Sequence, residues 1–139
     1  MRQILFKAKR IDNGEWVEGY YSKSPDPLFG FLKDFIFAPY YDKEKECGYD
    51  NGYKIDPNTI CQFTGLYDKN GNKIWENDVV RESSCGYEGI IEYIDAVYCI
   101  EWIGEPYIRD DLMFWIKERN LEVIENIFDH KELLEGGGE

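Results

Sequence analysis

Glu76 and Asp78 are the pair of side chains in this sequence whose types and spacing are best suited to chemistry. Two carboxylates separated by one residue could bind a small metal ion or act as a general acid and base. Asn77 lies between them, and Asp and Asn commonly stabilise tight turns by bonding to nearby backbone groups. We favour the turn, in which Asp78 accepts backbone N–H bonds and Glu76 is solvated.

Other residues suited to catalysis or metal binding are sparse. His130 is the single histidine, and no residue is nominated as its partner for general-base catalysis, so a surface or capping role is favoured. The cysteines are Cys47, Cys61, Cys85 and Cys99. They form no C-x-x-C pair, so we expect free, mostly buried thiols and no zinc site. No phosphate-binding loop, nucleophile elbow or metalloprotease helix is present, and the sequence predicts a non-enzymatic protein without a cofactor.

Composition limits the class of protein. The chain has 139 residues, of which 43% are hydrophobic and 17% aromatic, enough to build a core rather than a disordered chain. The formal net charge of −12 makes direct nucleic-acid binding unfavourable, because phosphate neutralisation requires Lys and Arg. No apolar run approaches the ~20 residues of a membrane span, and charges interrupt the N-terminal apolar residues, so we expect a cytoplasmic protein that does not bind membranes.

The two carboxylates lie within a segment that reads as strand, turn, short return, turn and strand. Residues 59–66 are rich in β-branched and aromatic types, and Gly65 within them suggests a bulge. Asp68 and Gly71 bound a polar turn. Asn77 is the residue of the second turn expected to adopt a left-handed conformation.

This segment resembles the signature of the YopX family, small proteins encoded by phages and prophages of Gram-positive bacteria. The residues that carry the resemblance lie between 62 and 78: Gln62, Thr64, Gly65, Asp68, Gly71, Trp75, Glu76, Asn77 and Asp78. The family usually has Gly at the position of Asn77, and Asn is the best substitute for Gly at a positive φ. The resemblance implies a β-rich fold with an SH3-like barrel and a phage origin, and it implies no activity.

Before this segment, the sequence predicts a hairpin and a long loop. Asn13-Gly14 favours a type I′ turn that would pair residues 3–10 with 15–21. Residues 22–26 read as a loop. The apolar runs 28–32 and 35–38 form either two short core strands joined at Lys33-Asp34 or an apolar loop, and we favour strands. Residues 39–54 are polar and Tyr-rich, which predicts an exposed, mobile loop.

After the segment, β-rich runs on either side of Asp95 predict a hairpin. A final strand is expected near 121–127, then a short helix capped by Asp129 and a flexible tail at 136–139. We therefore predict a mainly β fold with an SH3-like barrel or roll over 56–128 and a short C-terminal helix. The expected division is 1–55 as an N-terminal β-hairpin region with its acidic Tyr-rich loop, 56–135 as the barrel and 136–139 as tail, the first two forming one compact unit.

Aromatic side chains supply the candidate interaction surface. Phe63 and Trp75 are expected in the core, since aromatics dominate core burial. Tyrosines in or beside predicted loops could anchor a protein partner. They are Tyr40, Tyr41, Tyr49, Tyr53 and Tyr67. A solvated loop is the alternative for residues 40–53.

These features lead to one favoured function and two alternatives. We expect a phage or prophage accessory protein that binds a host or phage protein through an acidic surface. The first alternative is an acidic DNA mimic that inhibits a nucleic-acid-binding host protein, which requires the charge to lie along one face. The second is an enzyme or metal site around Glu76 and Asp78. Edge strands of a small barrel can pair, which would allow homo-oligomers.

Overall fold

A computed structural model describes residues 4–104, 108–117 and 120–129. The chain divides into two compact units, Met1–Gln62 and Phe63–Glu139. Both are built from antiparallel strands, and the described residues contain one short α-helix. The predicted mainly β class is therefore confirmed.

Unit 1 is a set of consecutive antiparallel hairpins. Its strands are β1 (Phe6–Lys9), β2 (Trp16–Pro25), β3 (Leu32–Asp42) and β4 (Cys47–Lys54), followed by a 3-10 turn (Pro57–Thr59) and the first residues of β5 (Cys61–Tyr67). The strand order is β4-β3-β2-β1-β5. A small core lies on one face and consists of Ala8, Ile36 and Ile55, with Phe6, Val17 and Ile60 packed against it.

The first hairpin confirms the predicted pairing but not its turn. Phe6 lies opposite Gly19 and Lys9 opposite Trp16. Gly14 has a left-handed backbone (φ 72°), whereas Asn13 does not. Asn13 instead accepts the Glu15 N–H through its side chain, and the Gly14 N–H bonds to the Arg10 carbonyl. The reversal is thus a longer turn than type I′.

Residues 35–38 form part of a strand, as predicted, with Phe35 and Ile36 buried, but the predictions for residues 22–34 were wrong. The strand β2 continues to Pro25, so residues 22–26 are not a loop. Lys33 and Asp34 lie inside β3, opposite Ser24 and Lys23, and the chain reverses between Asp26 and Phe31. The reason is that Asp26 and Gly30 supply the turn chemistry, leaving the polar residues 22–24 and 33–34 free to pair.

The loop predicted for residues 39–54 is also wrong, because most of them form an extension of β3 and all of β4. These strands pair from Phe35↔Lys54 to Asp42↔Cys47. Pro39 is tolerated because the β2–β3 pairing ends at Tyr20↔Phe37, so no ladder bond on that side requires its missing N–H.

Unit 2 contains the end of β5 and a five-stranded sheet. Its other elements are β6 (Lys73–Trp75), β7 (Asp78–Glu82), β8 (Glu88–Ile94), β9 (Val97–Trp102), β10 (Arg109–Asp111), α1 (Leu112–Lys117), β11 (Leu121–Asn126) and a 3-10 turn (Ile127–Asp129). The sheet order is β10-β9-β8-β7-β11. Within the described ranges β10 and β11 remain edges, so the sheet is open and the predicted barrel is not closed.

One face of this sheet carries the larger core. It comprises the buried residues Ile74, Val80, Ile91, Ile100, Trp102, Leu112 and Leu121. The helix α1, which the sequence did not predict, contributes Leu112 and packs Trp115 and Ile116 against the cluster. Its six residues are too few to show helical periodicity, and its first turn is bonded by the Asp111 carboxylate to the Met113 N–H (2.8 Å).

Several local predictions are confirmed. The hairpin around Asp95 forms, with both Asp95 and Ala96 in left-handed conformations. All four cysteines are free, although Cys47 and Cys85 are exposed rather than buried. The predicted C-terminal helix, His130 and the 136–139 tail lie outside the described residues. No helix within those residues is long and apolar enough to cross a membrane.

Candidate interaction surfaces

The loop between β2 and β3 exposes four large apolar side chains. Leu28, Phe29, Phe31 and Leu32 are each between 62% and 80% exposed, and we call residues 28–32 the apolar loop. Single exposed apolar residues are ordinary, but a contiguous group marks a binding site or an aggregation liability. The apolar composition of this segment favours core strands, so the surface was not predicted from the sequence.

Asp26 holds the apolar loop in one conformation. Its buried carboxylate accepts the N–H of Leu28 (2.8 Å) and Phe29 (3.4 Å) through Oδ1 and pairs with Lys54 through Oδ2 (2.6 Å). Two backbone bonds between Asp26 and the Gly30–Phe31 stretch close the turn. The hydrogen bond and charge of Lys54 lower the pKa of Asp26 below its ordinary value. The apolar side chains are thus presented by an ordered turn, and the Asp-Pro-x-x-Gly order at 26–30 was the signal that could have located it.

The β3–β4 hairpin brings three of the predicted tyrosines to one face. Tyr40 lies directly opposite Tyr49 with ring centroids 5.2 Å apart, and Tyr53 shares their face by register. The Arg10 guanidinium lies 4.5 Å from the Tyr53 ring centroid. Tyr41 points to the opposite face. Tyr67 belongs to unit 2, where its exposed ring packs edge-on against Phe63.

The segment 62–78 forms its predicted turns through buried carboxylates. Gly65, Gly71 and Asn77 all have a positive φ, and the β5–β6 register shifts across Gly65 as expected for a bulge. Burial would by itself raise the pKa of Asp68, but bonds from Val123, Asn72 and Asn70 lower it below the ordinary value. Asp68 therefore ties its turn to β11.

The remaining signature residues are positioned as follows. Gln62 pairs with Phe6 at the start of β5. The Thr64 hydroxyl donates to the Ile74 carbonyl (2.8 Å). Phe63 and Trp75 are buried as predicted, at 3% and 4% exposure, with ring centroids 5.5 Å apart.

Asp78 is occupied by hydrogen bonds inside unit 2. Its Oδ2 accepts the Trp75 N–H (2.8 Å), and its Oδ1 accepts from the Asn126 side chain (3.0 Å). Asn126 also donates to the Glu76 carbonyl (3.3 Å). Among the described residues no group of three or more His, Cys, Asp or Glu side chains could hold a metal ion. The geometry is that of a turn fastened to β11.

Charge is distributed very unevenly between the two units. Unit 1 contains nine Lys and Arg against ten Asp and Glu, a net charge of −1. Unit 2 contains seven against eighteen, a net charge of −11. The acidity therefore belongs to unit 2 and not to the Tyr-rich hairpin.

Part of this charge lies on one side of the unit 2 sheet, opposite the core. Because side chains of paired residues in adjacent strands share a face, the registers of β7 to β11 place six carboxylates together. This acidic face consists of Glu88, Glu92, Glu101, Asp111, Glu122 and Glu125. Two arginines interrupt it, since Arg81 pairs with Glu88 (2.8 Å) and Arg109 approaches Glu101 (3.9 Å).

The pKa of Glu92 is affected by a neighbouring carboxylate on this face. Burial, together with the hydrogen bond and negative charge of Glu101, raises its pKa above the ordinary value, and Arg109 only partly opposes this. The same surroundings raise the pKa of the buried Cys99 thiol, chiefly through burial and then through Glu92. Glu92 and Glu101 therefore lie close enough for their negative charges to repel each other.

These features define a small, mainly β protein that exposes an ordered apolar loop and an acidic sheet face. Residues 6–135 match the model of the YopX protein family. The chain belongs to the YopX family, as its signature segment predicted. No curated protein matches the chain.

Proposed function

We propose that this YopX protein is a non-enzymatic accessory protein of a phage or prophage that binds a host or phage protein in the bacterial cytoplasm. The observation that carries the proposal is the apolar loop. Burying a large apolar side chain contributes about 1.5–3 kcal/mol, and the loop offers four of them. Because Asp26 already fixes the loop, binding loses less conformational entropy than it would for a mobile segment.

The acidic face of unit 2 supports a basic partner. Complementary charge speeds diffusional encounter and excludes partners of like charge, and its effect weakens as salt rises. The apolar loop would then supply most of the affinity and the acidic face most of the association rate. These roles are separable by mutation.

The test is capture of a partner from host lysate with the tagged protein, treated with nuclease, followed by binding measurements on the purified partner. We expect Phe29→Ser with Phe31→Ser to weaken binding at least about tenfold, the equivalent of 1.4 kcal/mol. Ile4→Ser is the control, because Ile4 is also exposed in unit 1 (58%) and lies in a different segment of the chain. Equal affinity of the double variant and the control would refute the role of the loop.

The acidic face is tested by association kinetics. Glu101→Gln with Glu122→Gln removes two charges from the face, and Glu18→Gln with Glu44→Gln removes two from unit 1. We expect only the first pair to slow association at low salt, with the difference fading as salt increases. An unchanged association rate would show that the face does not steer the partner.

A second candidate function is inhibition of a nucleic-acid-binding host protein by DNA mimicry. The observation that favours it is the alignment of six carboxylates on one sheet face, which the mimic requires. Against it, two of them are paired with arginines. Competition decides: a mimic displaces labelled DNA from the captured partner in a salt-dependent way, whereas an accessory protein of the proposed kind leaves DNA bound.

Metal or acid–base chemistry at Glu76 and Asp78 is the least supported candidate. Both oxygens of Asp78 already accept hydrogen bonds that hold the turn, so a metal ion would have to displace them. Titration with Mg²⁺, Mn²⁺ or Zn²⁺ monitored by calorimetry tests this. Binding that is lost in Asp78→Ala but retained in Glu122→Ala would revive the candidate.

A further inference from the structure

A cleft in unit 2 combines aromatic walls with an acidic group. Its volume is about 460 Å³, within the range of small-molecule sites. The lining includes Tyr87, Trp102, Trp115, Ile103, Ile108 and Asp110. Neither the signature segment nor the acidic face contributes to it.

The three aromatic rings are steeply inclined to one another. Trp102 lies 5.4 Å from Trp115 with their planes at 76°, and 6.5 Å from Tyr87 with planes at 64°. Rings at such angles surround a volume instead of stacking into one layer. Tyr87 is 68% exposed and stands at the open side, while Trp102 is buried.

Two polar groups of the cleft have unused bonding capacity within the described part of the chain. Asp110 accepts the Trp102 indole N–H through Oδ2 (2.7 Å), and it forms no ion pair with a described Lys or Arg. The indole N–H of Trp115 is buried and has no acceptor. The cleft thus offers a carboxylate without an ion-pair partner among aromatic faces, and one of its lining residues, Trp115, carries a buried hydrogen-bond donor that lacks an acceptor.

We propose that this cleft binds a methylated ammonium group carried by a molecule that also has an oxygen acceptor. Aromatic faces attract such cations through the ring quadrupole, most strongly for Trp, and Asp110 supplies the opposite charge. The net charge of −11 on unit 2 raises the local concentration of cations. The ligand oxygen would accept the Trp115 N–H. The site is independent of the protein-binding proposal.

The experiment is titration of the whole 139-residue chain with choline, monitored by tryptophan fluorescence and by calorimetry. The control ligand is 3,3-dimethylbutan-1-ol, the uncharged isostere of choline, which has the same shape without the positive charge. We expect saturable choline binding at least about tenfold tighter than that of the isostere, equivalent to 1.4 kcal/mol. Equal binding of the two, or no saturable binding of any methylated ammonium probe, would overturn the proposal.

Two variants locate the site. Asp110→Asn is expected to weaken choline binding about tenfold. Asp95→Asn is its matched control, because it removes the same charge from unit 2 at a left-handed turn position (φ 53°) that Asn tolerates. Tyr87→Ala, at an exposed position, should also weaken binding without unfolding the protein. Identical affinities of Asp110→Asn and Asp95→Asn would contradict the assignment.

A trimethyl-lysine peptide and its unmethylated counterpart form the second arm. Choline and the trimethyl-lysine peptide present the same trimethylammonium group. Their relative affinities therefore show whether the ligand is a small molecule or a modified protein side chain. Tighter binding of choline than of the methylated peptide indicates a small-molecule ligand. Preference for the methylated peptide over choline and the unmethylated peptide indicates a modified protein side chain.

Discussion

The two units differ in the size of their cores and in their net charge. Unit 2 has seven buried residues in one core cluster and a net charge of −11. Unit 1 has a cluster of three buried residues and a net charge of −1, and it exposes Leu28, Phe29, Phe31 and Leu32. The contrast teaches that the overall net charge describes neither unit, because the acidity is concentrated in unit 2 and the apolar loop lies in unit 1.

The largest loss of unfolding free energy should come from truncating a buried isoleucine in the core of either unit. Ile100 and Ile36 are both fully buried, and Ile→Ala in a core typically costs about 2–5 kcal/mol of unfolding free energy. We expect Ile100→Ala to lie at the upper end, because its cluster is larger, and Ile36→Ala at the lower end. Urea denaturation measures both.

Phe29→Ala is the control for this comparison. Its side chain is 70% exposed, so its removal should change the unfolding free energy by no more than about 0.5 kcal/mol. A loss as large as that of Ile36→Ala would mean that the apolar loop is part of the core of unit 1 and not a free surface.

The glycines Gly19 and Gly89 give a smaller and sharper test. A Cβ at Gly19 would lie 2.2 Å from the Phe37 carbonyl oxygen, and one at Gly89 would lie 2.3 Å from Cγ2 of Ile100. Overpacking of this kind costs about 1–3 kcal/mol, occasionally more. We expect Gly19→Ala to be the more damaging, because a backbone oxygen cannot move away without disturbing the β2–β3 pairing.

A double-mutant cycle separates the two cases. Combining Gly89→Ala with Ile100→Ala removes the colliding side chain, so the pair should cost less than the sum of the single substitutions. Combining Gly19→Ala with Phe37→Ala leaves the colliding carbonyl in place, and additivity is expected. Additive costs for Gly89 and Ile100 would show that the crowding at that site is relieved by other means.

The contrast between the units also explains which parts of the fold the sequence could predict. The turns at 68–71 and 76–78 were predictable because Asp68, Gly71 and Asn77 each satisfy a local backbone requirement. The apolar loop was not, because apolar composition is a signal for burial and only tertiary pairing shows that residues 28–32 stay outside. The β3–β4 hairpin was hidden because its many polar and Gly residues lack the apolar alternation that signals a half-buried strand.

The candidate surfaces show the same limit. Tyr40, Tyr49 and Tyr53 were identified by type, but their common face follows from the β3–β4 register, which the loop interpretation excluded. The acidic face was anticipated only as net charge, since the alignment of carboxylates depends on five strands pairing in register. The cleft at Trp102 and Asp110 was not anticipated, because β10 and α1 are too short to be read from sequence.

The smallest effect concerns carboxylates whose pKa shifts have opposite signs. The Glu82 carboxylate accepts from Cys85 and Ser84, through side chains and backbone, and these bonds lower its pKa to about 2 from 4.5. A lowered pKa stabilises the fold above pH 4.5, and this contribution is lost as the pH falls from there toward 2. Glu92 has a raised pKa, so its ionisation destabilises the fold. This destabilisation is absent when the pH is below the ordinary pKa of a glutamate, because the group is then protonated in both the folded and the unfolded state.

The measurement is the free energy of unfolding of Glu82→Gln and Glu92→Gln between about pH 7 and pH 3. The changes relative to the native protein should have opposite signs. At neutral pH we expect Glu82→Gln to be less stable than the native protein and Glu92→Gln slightly more stable, with both differences shrinking as the solution becomes acidic. Differences that do not change with pH would mean that shape and not charge sets both effects. The Glu82 loop would then be held by its hydrogen-bond geometry alone, and the crowding of charge on the acidic face of unit 2 would not cost stability at Glu92.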